Sequence, residues 1–569
     1  MTKWRINLVF IFIILFGAAL IGRLVYIQIL NHQYWQALAQ GQQKFFAQIQ
    51  GARGEVFFQS GEPLAINRDF DLVYVAPNEI ENPEETAEAL SLVLDLKSDS
   101  ILEKIQKDSL YVVIKKKLTA EEVENLKKIN PIRNRISNGV NLPGIYLGRE
   151  IGRDYPHQSL ASQIIGFLGG DGQGQYGLEG YYDNLLQGKE GFLEREKGPG
   201  GYLVNSLGRA GEKGSDLILT LDYNIQFQAE KLLEKAKENL DIEGGQIIVL
   251  DPNSGKILAL ANFPNFNSNQ YSKVDNIEIF QNGAIQKIFE PGSIFKPITM
   301  AAAIEEQKIT PYTTYIDQGF VKIGGYTIYN YDKVIWGEQT MTQVLENSIN
   351  TGAIFVEKEL GHNLFLKYIE KFGCFEPTGI DLQGEIFSEN KEFKKGYEVN
   401  FATASFGQGI EMTPIQLVRA LAAIANGGKL IRPYLIEKII SDGKENEVQP
   451  EIQNGSVISP RTASQLTTML VSSVENGYAK RAKIPGYYIA GKTGTSNIPF
   501  SSLGENILGY SDKTWQSFVG WLPAFDPKFL ILVKLDNPKA KAAGYSTTLI
   551  ARDLMKYIID YYQIPPDYE

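Results

Sequence analysis

Phe289-Glu290-Pro291-Gly292-Ser293-Ile294-Phe295-Lys296 is the stretch on which the reading of this chain turns. Gly292 precedes a serine, and an apolar helical pattern runs from Ile294 to Ile304, interrupted by Lys296 and Pro297. Pro297 falls in the first turn, where a missing N–H costs little. A serine at a helix N-terminus meets the positive end of the dipole, which favours a developing anion. A lysine three residues on shares the serine's helix face. Its ammonium cannot act as a base until burial or a neighbouring cation lowers its pKa. In isolation the pair would read as an N-cap and an exposed lysine.

Two further motifs change that balance. Ser348-Ile349-Asn350 follows a helical pattern over Thr342 to Asn347, and Lys492-Thr493-Gly494-Thr495 follows a strand pattern over Tyr487 to Ala490. Alone, Ser348 and Asn350 would be a helix C-cap with Asn350 in a left-handed turn. Alone, the third motif would be a glycine-rich strand end with a surface lysine, although Gly491 and Gly494 would let backbone approach a ligand closely. Lys492 is the cation that could depress Lys296. With three scattered histidines (His32, His157, His362), a serine–lysine arrangement is the way this chain can activate a serine. Ser388-Glu389-Asn390-Lys391 matches the first two patterns as well, but Glu392, Lys394 and Lys395 surround it, and it reads as a surface loop.

Outward from these motifs, 569 residues suffice for two or three domains, and 43% hydrophobic content supports a sizeable core. The net charge of −10, without a basic stripe, argues against a nucleic-acid partner. Lys115-Lys116-Lys117 reads as a solvated face beside Glu121, Glu122 and Glu124. The single cysteine, Cys374, reads as a small buried hydrophobe, and the histidines share no metal-ligand spacing, so neither a metal nor a cofactor is expected.

Lys3 and Arg5 precede an apolar run from Ile6 to Gly22, closed by Arg23. The run spans roughly 25 Å as a helix, and Leu24 to Ile27 extends it with Arg23 snorkelling. No A-x-A-like cleavage site follows, so an uncleaved signal-anchor is expected, with residues 1–5 cytoplasmic and the rest exported. Gln28 to Phe46 suits a polar helix leaving the membrane. Ser60-Gly61-Glu62-Pro63 is a turn, and residues 83–130 read as helices around a strand at Tyr111–Ile114, with a capping box at Thr119 to Glu122. Gly166 to Gly214 reads as irregular loops, including Gly198-Pro199-Gly200-Gly201, because no P-loop lysine follows its glycines. Leu217 to Leu221 reads as a strand, Asp222 caps a helix to about Leu240, and Gln246–Asp251 with Lys256–Ala261 reads as a hairpin. The expected divisions are 1–5, an anchor helix over 6–30, a non-catalytic domain over 31–214 and a catalytic domain over 215–569.

S-x-x-K, S-x-N and K-T-G in this order resemble the signature of penicillin-binding proteins and serine β-lactamases. The surrounding blocks resemble class B penicillin-binding proteins: Phe289 to Gly292, Ala404-Ser405-Phe406-Gly407-Gln408-Gly409 before Met412-Thr413-Pro414, Gly491 to Thr495, and Phe518-Val519-Gly520-Trp521. Arg53-Gly54-Glu55-Val56, Arg153-Asp154-Tyr155-Pro156, Gly166 and Gly177-Leu178-Glu179 look like that family's pedestal. Phe58-Gln59-Ser60-Gly61 departs from the family's usual Asp-Arg-Asn-Gly, far from the chemistry.

The resemblance implies a multidomain chain: one transmembrane helix, a mixed, mostly β pedestal, and an α/β catalytic domain with helices on a five-stranded antiparallel sheet whose edge strand carries the third motif. It implies a peptidoglycan D,D-transpeptidase in which Ser293 is acylated by a stem peptide with release of D-alanine, and which β-lactams trap. Lys296 would take the serine proton, Ser348 and Asn350 would assist proton transfer and position the peptide, catalytic Lys492 with Thr493 would hold the terminal carboxylate or support the proton relay, and Thr493, Gly494 and Thr495 would bind substrate. The N–H groups of Ser293 and Thr495 would form the oxyanion hole. Phe406 to Gly409 would lie near the cleft. A polytopic glycan polymerase in the bacterial cytoplasmic membrane would be the partner, since no glycosyltransferase pattern is visible, and the blocks lean towards division or sporulation types. A β-lactamase would be shorter and would need a deacylating base; a β-lactam sensor would carry several spans and a cytoplasmic output domain. A non-catalytic scaffold would not need all of Ser293, Lys296, Ser348, Asn350 and Lys492.

Overall fold

A computed structural model of the chain describes residues 3–30, 44–109, 111–129, 143–197, 203–209 and 211–569. The described residues fall into two compact units, one of residues 1–54 with 184–215 and one of 55–183 with 216–569.

In the first unit, Lys3–Val25 is an α-helix that continues as a π-helical turn over Tyr26–Leu30. Its segment Asn7–Val25 has mean hydropathy 2.7 and buries nothing, so it is long and apolar enough to cross a membrane. Polar helix was expected up to Phe46, yet Lys44–Gln50 is a strand, and residues 31–43 lie outside those described. That strand pairs antiparallel with Glu190–Lys197, which pairs with Leu203–Arg209. The region read as loops from Gly166 to Gly214 therefore contains regular strands, and Gly198 to Gly201 lie outside the described residues.

Among the described residues, the second unit holds two large sheets beside four two-stranded ones. One has seven strands, and Val56–Phe57 at its centre pairs antiparallel with Pro63–Val75 and parallel with Asp216–Leu219. This sheet runs across residue 215. Asp216–Leu219 joins it to Ile436–Ser441, so the two sides of that boundary share hydrogen bonds. The turn at Ser60–Pro63 and the helices Pro83–Leu94, Ser98–Ile105 and Ala120–Ile129 around Val112–Lys115 are as the patterns require. The Thr119–Glu122 capping box forms reciprocally, at 2.8 and 3.2 Å. The lysine run is not merely solvated: Lys115 pairs with Glu122 at 2.6 Å, Lys116 with Glu150 at 2.8 Å, and Lys117 lies over Phe70 and donates to the Arg153 carbonyl. Two of the quoted pedestal blocks also meet, with Arg153 Nε 2.7 Å from Glu179 Oε1 and both side chains almost wholly buried.

The other sheet positions the candidate site. Its strands, numbered along the chain, are β1 (Gly244–Leu250), β2 (Ile257–Phe263), β3 (Ala490–Pro499), β4 (Tyr510–Leu522) and β5 (Phe529–Asp536). They are antiparallel in the order β2-β1-β5-β4-β3, so β3 is an edge. Both faces are covered, which is why these strands read as continuous apolar runs. Ile247, Val249, Phe518, Ile531 and Val533 face one core with Ile225, Ala229 and Leu233 of α1 (Tyr223–Leu240). Leu554, Met555 and Ile558 of the C-terminal helix Thr547–Tyr562 complete it. Each such side chain contributes about 1.5–3 kcal/mol on burial. Asp222 caps α1 by accepting from the N–H groups of Asn224 and Ile225 at 2.9 and 3.1 Å. Of the remaining helices, α5 (Pro414–Ala425) packs on β1 and β5 and α6 (Pro460–Asn476) on β3, while α2 (Lys296–Glu305) packs on α5 and α6, α3 (Met341–Glu346) on α6 and α4 (Asn350–Leu360) on α2. Cys374 is buried as expected, and burial pushes its thiol up to about 12.

Candidate active site

The turn that carries Ser293 is fixed by backbone on both sides. Phe289 and Met412 exchange N–H···O=C bonds of 3.0 and 3.1 Å, and the Gly292 N–H donates to the Gly407 carbonyl at 2.9 Å. From the β3 side, Ser496 Oγ donates to the Glu290 carbonyl at 2.8 Å. Gly292 has φ +60, a conformation glycine adopts without strain. The chain then makes one 3-10 turn, Gly292–Phe295, and runs into α2 with Pro297 in its first turn. Ile294 and Phe295 are wholly buried and anchor the turn, whereas Ser293 is half-buried. Among the described residues its Oγ has no hydrogen-bond partner.

Ser348 and Asn350 arrive from the other helices. A reciprocal capping box between Thr340 and Gln343, at 2.9 and 3.2 Å, starts α3, which ends after six residues. The left-handed residue that follows is Ser348, with φ +52, and not Asn350, which opens α4. A non-glycine residue in that region stores strain, and such strain concentrates at functional sites. Here it turns the Ser348 carbonyl and hydroxyl towards the same lysine. Lys296 Nζ donates to Ser348 O at 2.6 Å and to Asn350 Oδ1 at 2.9 Å, with Ser348 Oγ at 3.4 Å.

The third motif lies within β3 itself, which begins at Ala490, later than the strand pattern implied. Its lysine is not on the surface: Lys492 is 1% exposed and donates to Ser348 Oγ at 2.9 Å and to the Thr493 carbonyl at 3.1 Å. Two buried lysines therefore converge on Ser348. Burial, and then the charge of Lys492, hold Lys296 well below the usual lysine range. Burial alone pushes Lys492 down to about 7. Gly494 is required by packing, because a Cβ there would lie 2.9 Å from Pro291 O and 3.1 Å from Ile294 Cγ2. Thr493 is buried, and Thr495 Oγ1 accepts from the Ala543 N–H at 3.3 Å.

All the residues singled out from the three motifs thus belong to one constellation. A neutral Lys296 has two N–H groups and one lone pair. Ser348 O and Asn350 Oδ1 take the N–H groups, which leaves the lone pair of the neutral amine unoccupied. The Phe406–Gly409 block does reach the nucleophile turn, since a Cβ on Gly407 would lie 2.1 Å from Gly292 O.

Other participants carry no sequence signature. Buried Asp317 accepts from Asn330 Nδ2, Thr351 Oγ1 and the Trp336 N–H, which ties the segment before α3 to the residue after Asn350. Asn350 Nδ2 donates to the Tyr329 carbonyl of that segment at 3.2 Å. Only Gly319, two residues beyond Asp317, hints at the turn it caps. The second serine–asparagine pattern is a loop, but Ser388 and Asn390 are buried rather than on the surface. Ser388 Oγ donates to Glu411 Oε2 at 3.1 Å, and Asn390 Nδ2 donates to the Glu411 carbonyl at 2.8 Å. Among the described residues, no group of three His, Cys, Asp or Glu side chains is placed to hold a metal ion.

Comparison with known proteins came to the same region. Residues 245–556 match the penicillin binding protein transpeptidase domain, and residues 48–219 match the penicillin-binding protein dimerisation domain. The chain is 32% identical to Stage V sporulation protein D of Bacillus subtilis, over 93% of this chain and 81% of that protein. It is 30% identical to the probable peptidoglycan D,D-transpeptidase PbpC of Pseudomonas aeruginosa, over 99% and 96%. The fold is shared with the crystal structure of penicillin binding protein 3 from Mycobacterium tuberculosis complexed with aztreonam. That likeness has a TM-score of 0.69 at 24% identity, covering 91% of this chain and 98% of that one.

Proposed function

Because this chain belongs to the class B penicillin-binding proteins, we propose that it crosslinks peptidoglycan through an acyl-enzyme on Ser293. It is a peptidoglycan D,D-transpeptidase and a target of β-lactams. The assignment of residues is supported by the meeting of two buried lysines on Ser348, one of them three residues beyond the half-buried Ser293.

The terminal D-alanyl-D-alanine of a stem peptide lies along β3, its carboxylate at Thr493 and Thr495. Its carbonyl oxygen points to the N–H groups of Ser293 and Thr495, and each such donor lowers the barrier by about 3–4 kcal/mol. Ser293 Oγ bonds to the carbonyl carbon while its proton passes to Lys296. The C–N bond breaks as that proton travels through Ser348 Oγ to the departing D-alanine amine, with Lys492 holding Ser348 in place. The amine of a second stem peptide attacks the ester, its C–N bond forms, the C–O bond breaks, and a proton returns to Ser293. A β-lactam enters by the first step and leaves an ester that its own fragment shields.

The apolar helix Asn7–Val25 serves as a single membrane anchor that leaves the remainder outside the cytoplasm, with residues 31–214 as pedestal and 215–569 as catalytic domain. A membrane-embedded glycan polymerase would supply the strands. The reading is tested by incubating the full chain in detergent with a polymer of pentapeptide-bearing glycan strands. Free D-alanine together with muramidase-resistant crosslinked dimers is the expected product. D-Alanine without dimers would make the enzyme a carboxypeptidase, and neither product would contradict the assignment.

A further inference from the structure

Beside the nucleophile turn opens a cleft of about 710 Å³ whose walls include Glu290, Glu411 and Tyr510 together with the Ser388–Phe393 loop. Glu290 is three residues before Ser293 and only 4% exposed, and both its oxygens lie 3.1 Å from the Tyr510 hydroxyl. Glu411 is fixed from behind by Ser388 and Asn390, the very pattern that imitates the catalytic motifs. The lysine in the wall, Lys391, pairs with Glu389 at 2.9 Å, out in solvent. Among the described residues neither Glu290 nor Glu411 has a cation within ion-pair distance.

Two neighbouring carboxylates without a counter-charge are an unfavourable arrangement that a cation would relieve. Burial, and to a smaller extent the charge of Glu411, raise Glu290 to about 7 against its hydrogen bonds from Tyr510 and the Gly409 N–H. The rim is apolar, with Phe387, Ile507 and Leu508 exposed. A charged head below an apolar rim suits an alkylammonium, whose methylenes lie on the rim while its three N–H donors reach the carboxylates.

We propose that this cleft holds the side-chain ammonium of the diamino residue of a stem peptide, clasped by Glu290 and Glu411. The proposal rests on the transpeptidase reading, because the amine that resolves the acyl-enzyme is borne by such a residue and every uncrosslinked stem peptide therefore arrives with one. The cleft adjoins the carbonyl-attacking turn, which places it for the stem peptide being cleaved.

The test uses the full chain in detergent and two thioester donors of the form lysyl-D-alanyl-thioglycolate, one with its side-chain amine free and one with it acetylated. A charge-assisted hydrogen bond is worth about 1.5–3 kcal/mol, so the free-amine donor is expected to acylate at least about tenfold faster in kcat/KM. Glu411→Gln and Glu290→Gln should bring that ratio close to one while penicillin acylation stays within about threefold of wild type. Glu411→Gln alone suffices should the more buried Glu290→Gln not fold. A ratio of one for donors in the wild type, with an acceptor-peptide requirement that Glu411→Gln raises about tenfold, would assign the same ammonium site to the second strand. Donor and acceptor preferences both indifferent to the two substitutions would overturn the proposal. Failure of the wild type to acylate with penicillin would instead overturn the transpeptidase reading.

Discussion

Gly407→Ala isolates the placement of the nucleophile turn from its chemistry, since residue 407 supplies no reacting group. An alanine Cβ there would lie 2.1 Å from Gly292 O, 2.7 Å from its N and 2.8 Å from its C. Ordinary carbon–oxygen contacts are about 3.3 Å, so one of the two backbones must retreat by about 1 Å. That retreat breaks or lengthens the 2.9 Å bond from the Gly292 N–H to the Gly407 carbonyl and carries Ser293 away from Lys296 and β3. A misplacement of about 1 Å costs on the order of 100-fold in rate. Alanine at φ +81 also costs about 1–2 kcal/mol of stability. Gly409→Ala is the control. Its φ is +68, so the strain is similar, but its Cβ meets only Thr403 Oγ1, at 3.1 Å. The assay is the second-order rate of labelling by a fluorescent penicillin, with thermal melting of both variants alongside. The expected result is about 100-fold slower labelling for Gly407→Ala and at most about threefold for Gly409→Ala. Equal labelling by two folded variants, or a Gly407→Ala rate near wild type, would refute the idea that this contact sets the position of Ser293.

Lys492→Met should slow penicillin acylation by about 100-fold or more, because Ser348 loses its donor and the nucleophile's proton its path. The same variant checks a pH effect. Lys492 titrates near 7 when folded and near 10.5 when unfolded, so between those values the unfolded chain binds one more proton and stability rises with pH. The wild type should gain about 1.4 kcal/mol per pH unit from this residue over that window, and urea midpoints of Lys492→Met should rise less steeply. Glu179→Gln should cost about 3–5 kcal/mol by breaking its buried ion pair with Arg153, yet leave the acylation rate of the folded fraction unchanged.

Much of this molecule is legible in its sequence because local rules and tertiary demands agree. Asp222 and the Thr119 capping box mark helix starts by side-chain chemistry alone, and the Ile247–Leu250 run has the apolar continuity of a strand covered on both faces. The three motifs stand out because they coincide in order, and the structure brings Lys296, Ser348, Asn350 and Lys492 together. Burial does not stand out in the sequence: Lys492 alone looked like a surface residue, and it is the packing of β3 against the nucleophile turn that closes over it. The strand at Lys44–Phe46 was missed because its pairing partner lies about 150 residues on, at Arg195 and its neighbours. Taken alone, Ser348-Ile349-Asn350 reads as a C-cap with Asn350 left-handed, but Ser348 takes that conformation and its oxygens accept from two lysines. Ser388 reads as a surface residue because its neighbours are charged. Those charges point outward while Ser388 and Asn390 point in, a distinction that a loop without periodicity does not reveal.

The central claim is that Ser293 carries the acyl group, and intact-protein mass spectrometry after exposure to a penicillin tests it most directly. The full chain should gain one adduct of the mass of the intact drug, persisting for many minutes, and Ser293→Ala should gain none. An adduct that survives the substitution would place the nucleophile elsewhere, and rapid penicillin turnover without an adduct would make this a hydrolase of β-lactams rather than their target.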